Sequence, residues 1–110
     1  MTGTQVIENV VVSNTAAVSA TGSGGGIYVG NCSGAVLQGN HVERNVASAN
    51  GQGSGGGISL SGSQPVTLTG NVILTNTASI TGGLGSGGGI FLSANDRAFL
   101  IGNRIEDNVA

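Results

Sequence analysis

Lysine is absent from this chain of 110 residues, and three arginines against five carboxylates leave a net charge of -2. That balance offers no basic surface to a nucleic acid backbone or an anionic membrane, so neither partner is expected. Large side chains are also scarce. One Tyr, two Phe and 22 Gly leave little with which to fill a conventional globular core. The single cysteine, Cys32, excludes an internal disulfide and leaves the redox compartment open. No run approaches the roughly 20 apolar residues that span a bilayer, and residues 1–10 lack the basic and apolar regions of a secretion signal. A soluble segment with no address of its own is expected. Charged residues are only 7% of the chain while hydrophobic residues reach 38%, which argues against a charged disordered linker. The wealth of Asn, Ser, Thr and Gly without lysine suits an extracellular or cell-surface protein.

What is present is a repeat. The hexapeptide Gly-Ser-Gly-Gly-Gly-Ile occurs at 22–27, 53–58 and 85–90, a spacing of 31 and then 32 residues. Asn9, Asn40, Asn71 and Asn103 keep the same beat, each followed five residues later by another asparagine, Asn14, Asn45, Asn76 and Asn108. Alignment on the first asparagine puts Val6, Leu37, Leu68 and Leu100 in one apolar column and Val11, Val42, Ile73 and Ile105 in another. Ile27, Ile58 and Ile90 form a third column, and Val29, Leu60 and Leu92 a fourth, with Tyr28, Ser59 and Phe91 varying between them. Short β-branched runs of period two mean strands. Three are expected per copy: after the glycines, before the first asparagine, and between the two asparagines. The glycines and the short pattern exclude helix.

Such a repeat is satisfied by winding each copy onto the last, at about 4.8 Å per coil, so that like side chains stack inside a tube. The expected fold is all-β: a right-handed, single-stranded parallel β-helix (solenoid) of about three coils of 31–32 residues. Residues 1–110 form one such segment, with coil boundaries near Gly22, Gly53 and Gly85. Asparagine tolerates left-handed backbone angles, so the Asn columns are expected at the bends, with each amide donating to one neighbour and accepting from the other. The extra residue of the third copy falls between Asn76 and Gly87, in a loop expected to lie outside the tube. The repeated glycines lack the Lys-Ser or Lys-Thr ending of a phosphate loop and precede no helix. They read instead as a close backbone approach between coils, or as positive φ.

These residues resemble the right-handed parallel β-helix proteins of the pectate-lyase-like superfamily. The repeats of polymorphic outer-membrane proteins, which are autotransported adhesins, are similar in carrying a Gly-Gly-Ala-Ile-like tetrapeptide and a Phe-x-x-Asn tetrapeptide. Here the first appears as Gly25-Gly26-Ile27, Gly56-Gly57-Ile58 and Gly88-Gly89-Ile90. The second appears at 11–14, 42–45, 73–76 and 105–108, with Val or Ile in place of Phe. The resemblance implies the fold, whereas the superfamily includes enzymes, adhesins and passive stalks.

Polysaccharide-cleaving members of that superfamily need clustered carboxylates beside an Arg, Lys or His. Glu43 and Glu106 share an outward column two coils apart, about 10 Å, with Leu74 between them, which is long for a paired acid and base. Asp107 alternates away from Glu106 unless the strand has ended. Asp96 and Arg97 read as a solvated turn. His41, in one column with Arg104, has no second His or Cys with which to share a metal. Cys32 reads as a small turn residue, aligned with Ser63 and Asn95, and not as a nucleophile. No catalytic, cofactor-binding or metal residue is therefore expected, and no enzyme.

Outward pairs on the third strand alternate from Val10 and Val12 to His41 and Glu43, then Val72 and Leu74, then Arg104 and Glu106. This face is expected to be covered, by the chain's own loops or by another molecule. A tube about 15 Å tall, with three first strands, four third strands and open apolar ends, reads as part of a longer array or assembly. The expected role is a structural or adhesin-like segment of a secreted or cell-surface protein, self-associating through its ends into a filament or through its lateral face. The alternative is a carbohydrate-binding or polysaccharide-degrading β-helix whose active coils lie elsewhere. Ice binding would need ranks of Thr, but Thr67 and Thr69 have Val36 and Gln38 on one side and Phe99 and Ile101 on the other.

Overall fold

A computed structural model describes residues 3–62, 65–81, 84–94 and 97–110. The chain winds as a parallel β-solenoid in which each strand pairs, in parallel, with its counterpart one coil away. Sheet I stacks Gln5–Ile7, Ala35–Gln38, Val66–Thr69 and Ala98–Ile101, and sheet II stacks Val10–Val12, His41–Glu43, Val72–Leu74 and Arg104–Glu106. Sheet III holds Thr15–Ala17, Val46–Ser48 and Thr77–Ser79. Sheet IV holds the two-residue strands Gly22–Ser23, Gly53–Ser54 and Gly85–Ser86, and sheet V holds Ile27–Gly30, Ile58–Ser61 and Ile90–Ser93.

The expected columns are the interior rows. Val6 pairs with Leu37, Leu37 with Leu68 and Leu68 with Leu100. Val11, Val42, Ile73 and Ile105 follow one another on sheet II, as do Ile27, Ile58 and Ile90 on sheet V. Leu37, Val42, Ile58, Leu60, Leu68 and Ile73 are fully buried, each worth roughly 1.5 to 3 kcal/mol. Their equivalents on the last rung, Leu92, Leu100 and Ile105, are 37%, 43% and 45% exposed. Burial therefore comes from having a coil on both sides, which makes each rung's stability a property of its neighbours.

Two expectations are corrected. Each coil has five strands, not three, because sheet III uses Thr-Ala-Ala, Val-Ala-Ser and Thr-Ala-Ser and sheet IV uses Gly-Ser, segments too short and too small to show a period-two apolar pattern. The ladder asparagines also do not carry the left-handed backbone. The residue before each one does: Glu8, Gly39, Gly70 and Gly102 at the first corner, and Ser13, Arg44, Thr75 and Asp107 at the second, all with φ between 51° and 65°. One left-handed residue turns the chain, and the following asparagine is then aimed into the stack.

Thr75, exposed and β-branched, holds φ at 51°, a region unfavourable for such a side chain. Thr75→Asn is expected to raise unfolding stability by about 1 kcal/mol in urea titration, since asparagine tolerates this conformation. A loss of stability would mean that Thr75 holds the corner through contacts of its own.

Ile80, Thr81 and Leu84, between sheets III and IV, are exposed. Ser79 pairs with Ser48 and Gly85 with Gly53, so the additional residue lies between Ser79 and Gly85. Gly82 and Gly83 of that stretch lie outside the described residues. The glycines that follow are interior: Gly53, Gly55, Gly56 and Gly57 are buried. The molecule measures 35 × 23 × 17 Å.

Candidate functional site

The densest polar chemistry in the molecule is the pair of asparagine ladders. Asn76 is fully buried, and its Oδ1 accepts from the backbone N of Asn45 at 2.9 Å and from Asn45 Nδ2 at 3.0 Å. Its own Nδ2 donates to Asn108 Oδ1 at 3.0 Å and back to Val42 O at 2.9 Å. Asn71 repeats this arrangement with Asn40, Asn103 and Leu37 O. Every amide hydrogen and both Oδ1 lone pairs of these side chains are used, which is what makes a buried amide tolerable. No buried side-chain nitrogen or oxygen among the described residues lacks a partner. The polarity is uniform, because in all six amide-to-amide bonds the Nδ2 donates to the Oδ1 of the next coil.

Ladder and glycine segment meet. An added Cβ at Gly57 would sit 3.0 Å from Asn76 Nδ2, and one at Gly53 would land on the carbonyl of Ala78 in the coil above. The hexapeptide repeats because sheets III and IV touch backbone to backbone, with room only for hydrogen on one side and the Ala47 and Ala78 methyls on the other.

Outside the tube, Leu74 pairs with Glu43 on one side and Glu106 on the other, and Val72 pairs with His41 and Arg104. The two carboxylates thus stand two coils apart, each with a basic neighbour of its own. Glu43 Oε2 lies 2.8 Å from Arg44 Nη1 and 3.6 Å from His41 Nε2, and Arg104 Nε lies 2.9 Å from Glu106 Oε1. The hydrogen bond from Arg104 holds the Glu106 carboxyl below its usual range and raises the Arg104 guanidinium. Val72 and Leu74 are only half exposed, between these flanking charged rungs. The strand has ended before Asp107, which occupies the left-handed corner.

Cys32 is more than a turn residue: it is 4% exposed, belongs to the apolar core, and its Sγ lies 3.3 Å from Gly30 O. Its aligned positions Ser63 and Asn95, and Asp96 of the expected turn, lie outside the described residues, whereas Arg97 is exposed. Among the described residues no group of three or more His, Cys, Asp or Glu is placed to hold a metal ion, and no helix is long and apolar enough to cross a membrane.

A third set of polar contacts was not foreseen. Ser48 Oγ donates to Ala20 O at 2.7 Å and accepts from Gly51 N at 2.8 Å, and Ser79 Oγ donates to Gly51 O at 2.7 Å. Asn50 Nδ2 donates to Val18 O at 3.1 Å, while Thr81 Oγ1 donates to Asn50 Oδ1 at 2.7 Å. The loops thus stack into a fin beside the tube. The aligned Ser48 and Ser79 were the available signal, and loop variability hid it.

The model of a family described as a right-handed beta helix region matches residues 1–110. No curated protein and no solved structure matched.

Proposed function

The chain belongs to the right-handed β-helix family, and on that premise we propose that it is a non-enzymatic structural or adhesin-like segment of a secreted or cell-surface protein. The supporting observation is where its polar side chains are used. Eight asparagines, the most regular feature of the sequence, are committed to bonds between coils, and the repeated glycines serve backbone contact. A repeat whose recurrent residues all act along the axis suits a structural rod.

Self-association that adds a coil to the stack has to follow the ladder polarity, as a further coil of the same chain would. Asn103 and Asn108 each donate one amide hydrogen back, to Leu68 O and Ile73 O, and the other has no acceptor among the described residues. Asn9 and Asn14 carry Oδ1 atoms without donors among the described residues. A coil of the same repeat fits either end in one orientation only, as a heterologous contact.

The test compares assembly with catalysis. Light scattering from the purified chain is expected to rise with concentration, with fibres or rods in negative stain. An acidic polysaccharide incubated with it is expected to keep its chain length. Depolymerisation of that polysaccharide overturns the non-enzymatic reading, and concentration-independent monomers overturn the self-association.

A further inference from the structure

The chain contains eleven asparagines, and only Asn50 is followed by glycine. An asparagine amide is lost when the backbone nitrogen of the next residue attacks its Cγ. That attack needs a nitrogen free to move, an amide free to rotate, and little steric bulk on the following residue.

Interior ladder positions deny all three. The residue after each of six of the eight ladder asparagines donates its N–H to a backbone carbonyl one coil away: His41 to Asn9 O, Val46 to Asn14 O, Val72 to Asn40 O, Thr77 to Asn45 O, Arg104 to Asn71 O and Val109 to Asn76 O, each at 2.8 Å. Those residues all carry side chains, and the interior amides are buried with every hydrogen bonded.

Asn50 differs at each point. It is exposed, its successor is Gly51, and the Gly51 N–H is held by a single side-chain hydroxyl, Ser48 Oγ at 2.8 Å. Among the described residues its amide is bonded only through the exposed contacts to Val18 O and Thr81 Oγ1.

We propose that Asn50 is a site of spontaneous deamidation, restrained by Ser48 and Thr81, in a stack whose ladder amides are otherwise chemically durable. Gly51 N, losing its proton to solvent base, bonds to Asn50 Cγ as the Cγ–Nδ2 bond breaks, and ammonia leaves. Water then opens the cyclic imide at either carbonyl, giving aspartate or isoaspartate. The sum is one water consumed and one ammonia released.

The product has consequences for the fin. A carboxylate at position 50 cannot donate to Val18 O and adds one negative charge. Isoaspartate lengthens the backbone just before Gly51, whose carbonyl accepts from Ser79 and where an added Cβ would lie 2.5 Å from Ala20 O. The loop stack loosens, while the ladders and apolar rows keep their bonds.

The experiment holds the folded chain in mildly alkaline buffer at body temperature and follows it by peptide mapping. Acid is expected to accumulate at residue 50 as a mixture of both isomers while the ladder asparagines stay intact. Ser48→Ala and, at an exposed position, Thr81→Ala are each expected to speed conversion several-fold. The proposal is overturned if Asn50 survives an interval that fully converts a free peptide of residues 46–54, or if ladder asparagines convert at a similar rate. Unchanged rates in both variants overturn the restraint.

Discussion

Asn76→Ala is expected to lower unfolding stability by roughly 3 to 5 kcal/mol, while Asn14→Ala lowers it by about 1 kcal/mol, although both remove a ladder asparagine. The difference lies in what is left behind. Without the Asn76 side chain, the backbone N and Nδ2 of Asn45 lose their acceptor inside the tube, and Val42 O and Asn108 Oδ1 lose donors. A buried group stranded in this way pays most of its desolvation cost. Asn14 is exposed on the first rung, and its side chain contributes one ladder bond, from Nδ2 to Asn45 Oδ1, so water replaces most of what is lost. Urea titration of the two variants checks this, with unchanged m values indicating that the same fold is being compared. Equal losses would mean that the ladder contributes shape without contributing energy.

The second large effect concerns glycine. Gly53→Ala is expected to cost about 3 kcal/mol or more, to the point of losing the cooperative transition, because the new methyl lands on the Ala78 carbonyl of the adjoining coil. Neither side of that contact has a rotamer with which to give way, since both are backbone. Gly70→Ala is the comparison: its φ is 61° but nothing lies within 4 Å of an added Cβ, so only the left-handed penalty of about 1 to 2 kcal/mol applies. Thermal melts followed by circular dichroism rank the two. If Gly70→Ala is the more damaging, the repeated hexapeptide is conserved between coils for a reason other than close approach.

The fold was legible because a solenoid writes its contacts into one dimension. Leu37, Leu68 and Leu100 are far apart in ordinary terms, yet a fixed spacing identifies them as neighbours, and pairing in register places them on one row. The same logic identified the asparagines as ladders. It misplaced the left-handed backbone by one residue, because composition shows which side chain suits a bend but not which backbone makes it. Ser13, Arg44, Thr75 and Asp107 share that conformation and share no chemistry. Cys32 was legible as a small residue near a turn and not as core, since its burial depends on strands drawn from separate parts of the chain.

Among the candidate chemistry, spacing alone placed Glu43 and Glu106 on one outward column with Leu74 between them, and the register agrees. It did not show that each carboxylate is already engaged by a basic neighbour, because Arg44 reaches Glu43 from a corner and not from a strand. The fin formed by Ser48, Asn50, Ser79 and Thr81 went unread for a similar reason. Its loops differ in sequence and length, so their alignment exists only once the strands on either side have been stacked.

By itself the sequence determined the coil length, the interior rows and the ladders, because each is a residue meeting its own equivalent one period away. Tertiary structure alone decided the backbone-to-backbone seam between sheets III and IV, the left-handed corners and the stacked loops, because the positions that meet or recur there are unlike one another and no repeated residue type marks them. Periodicity reports like over like. Contacts across the tube, and around its corners, become visible only when the coil has closed.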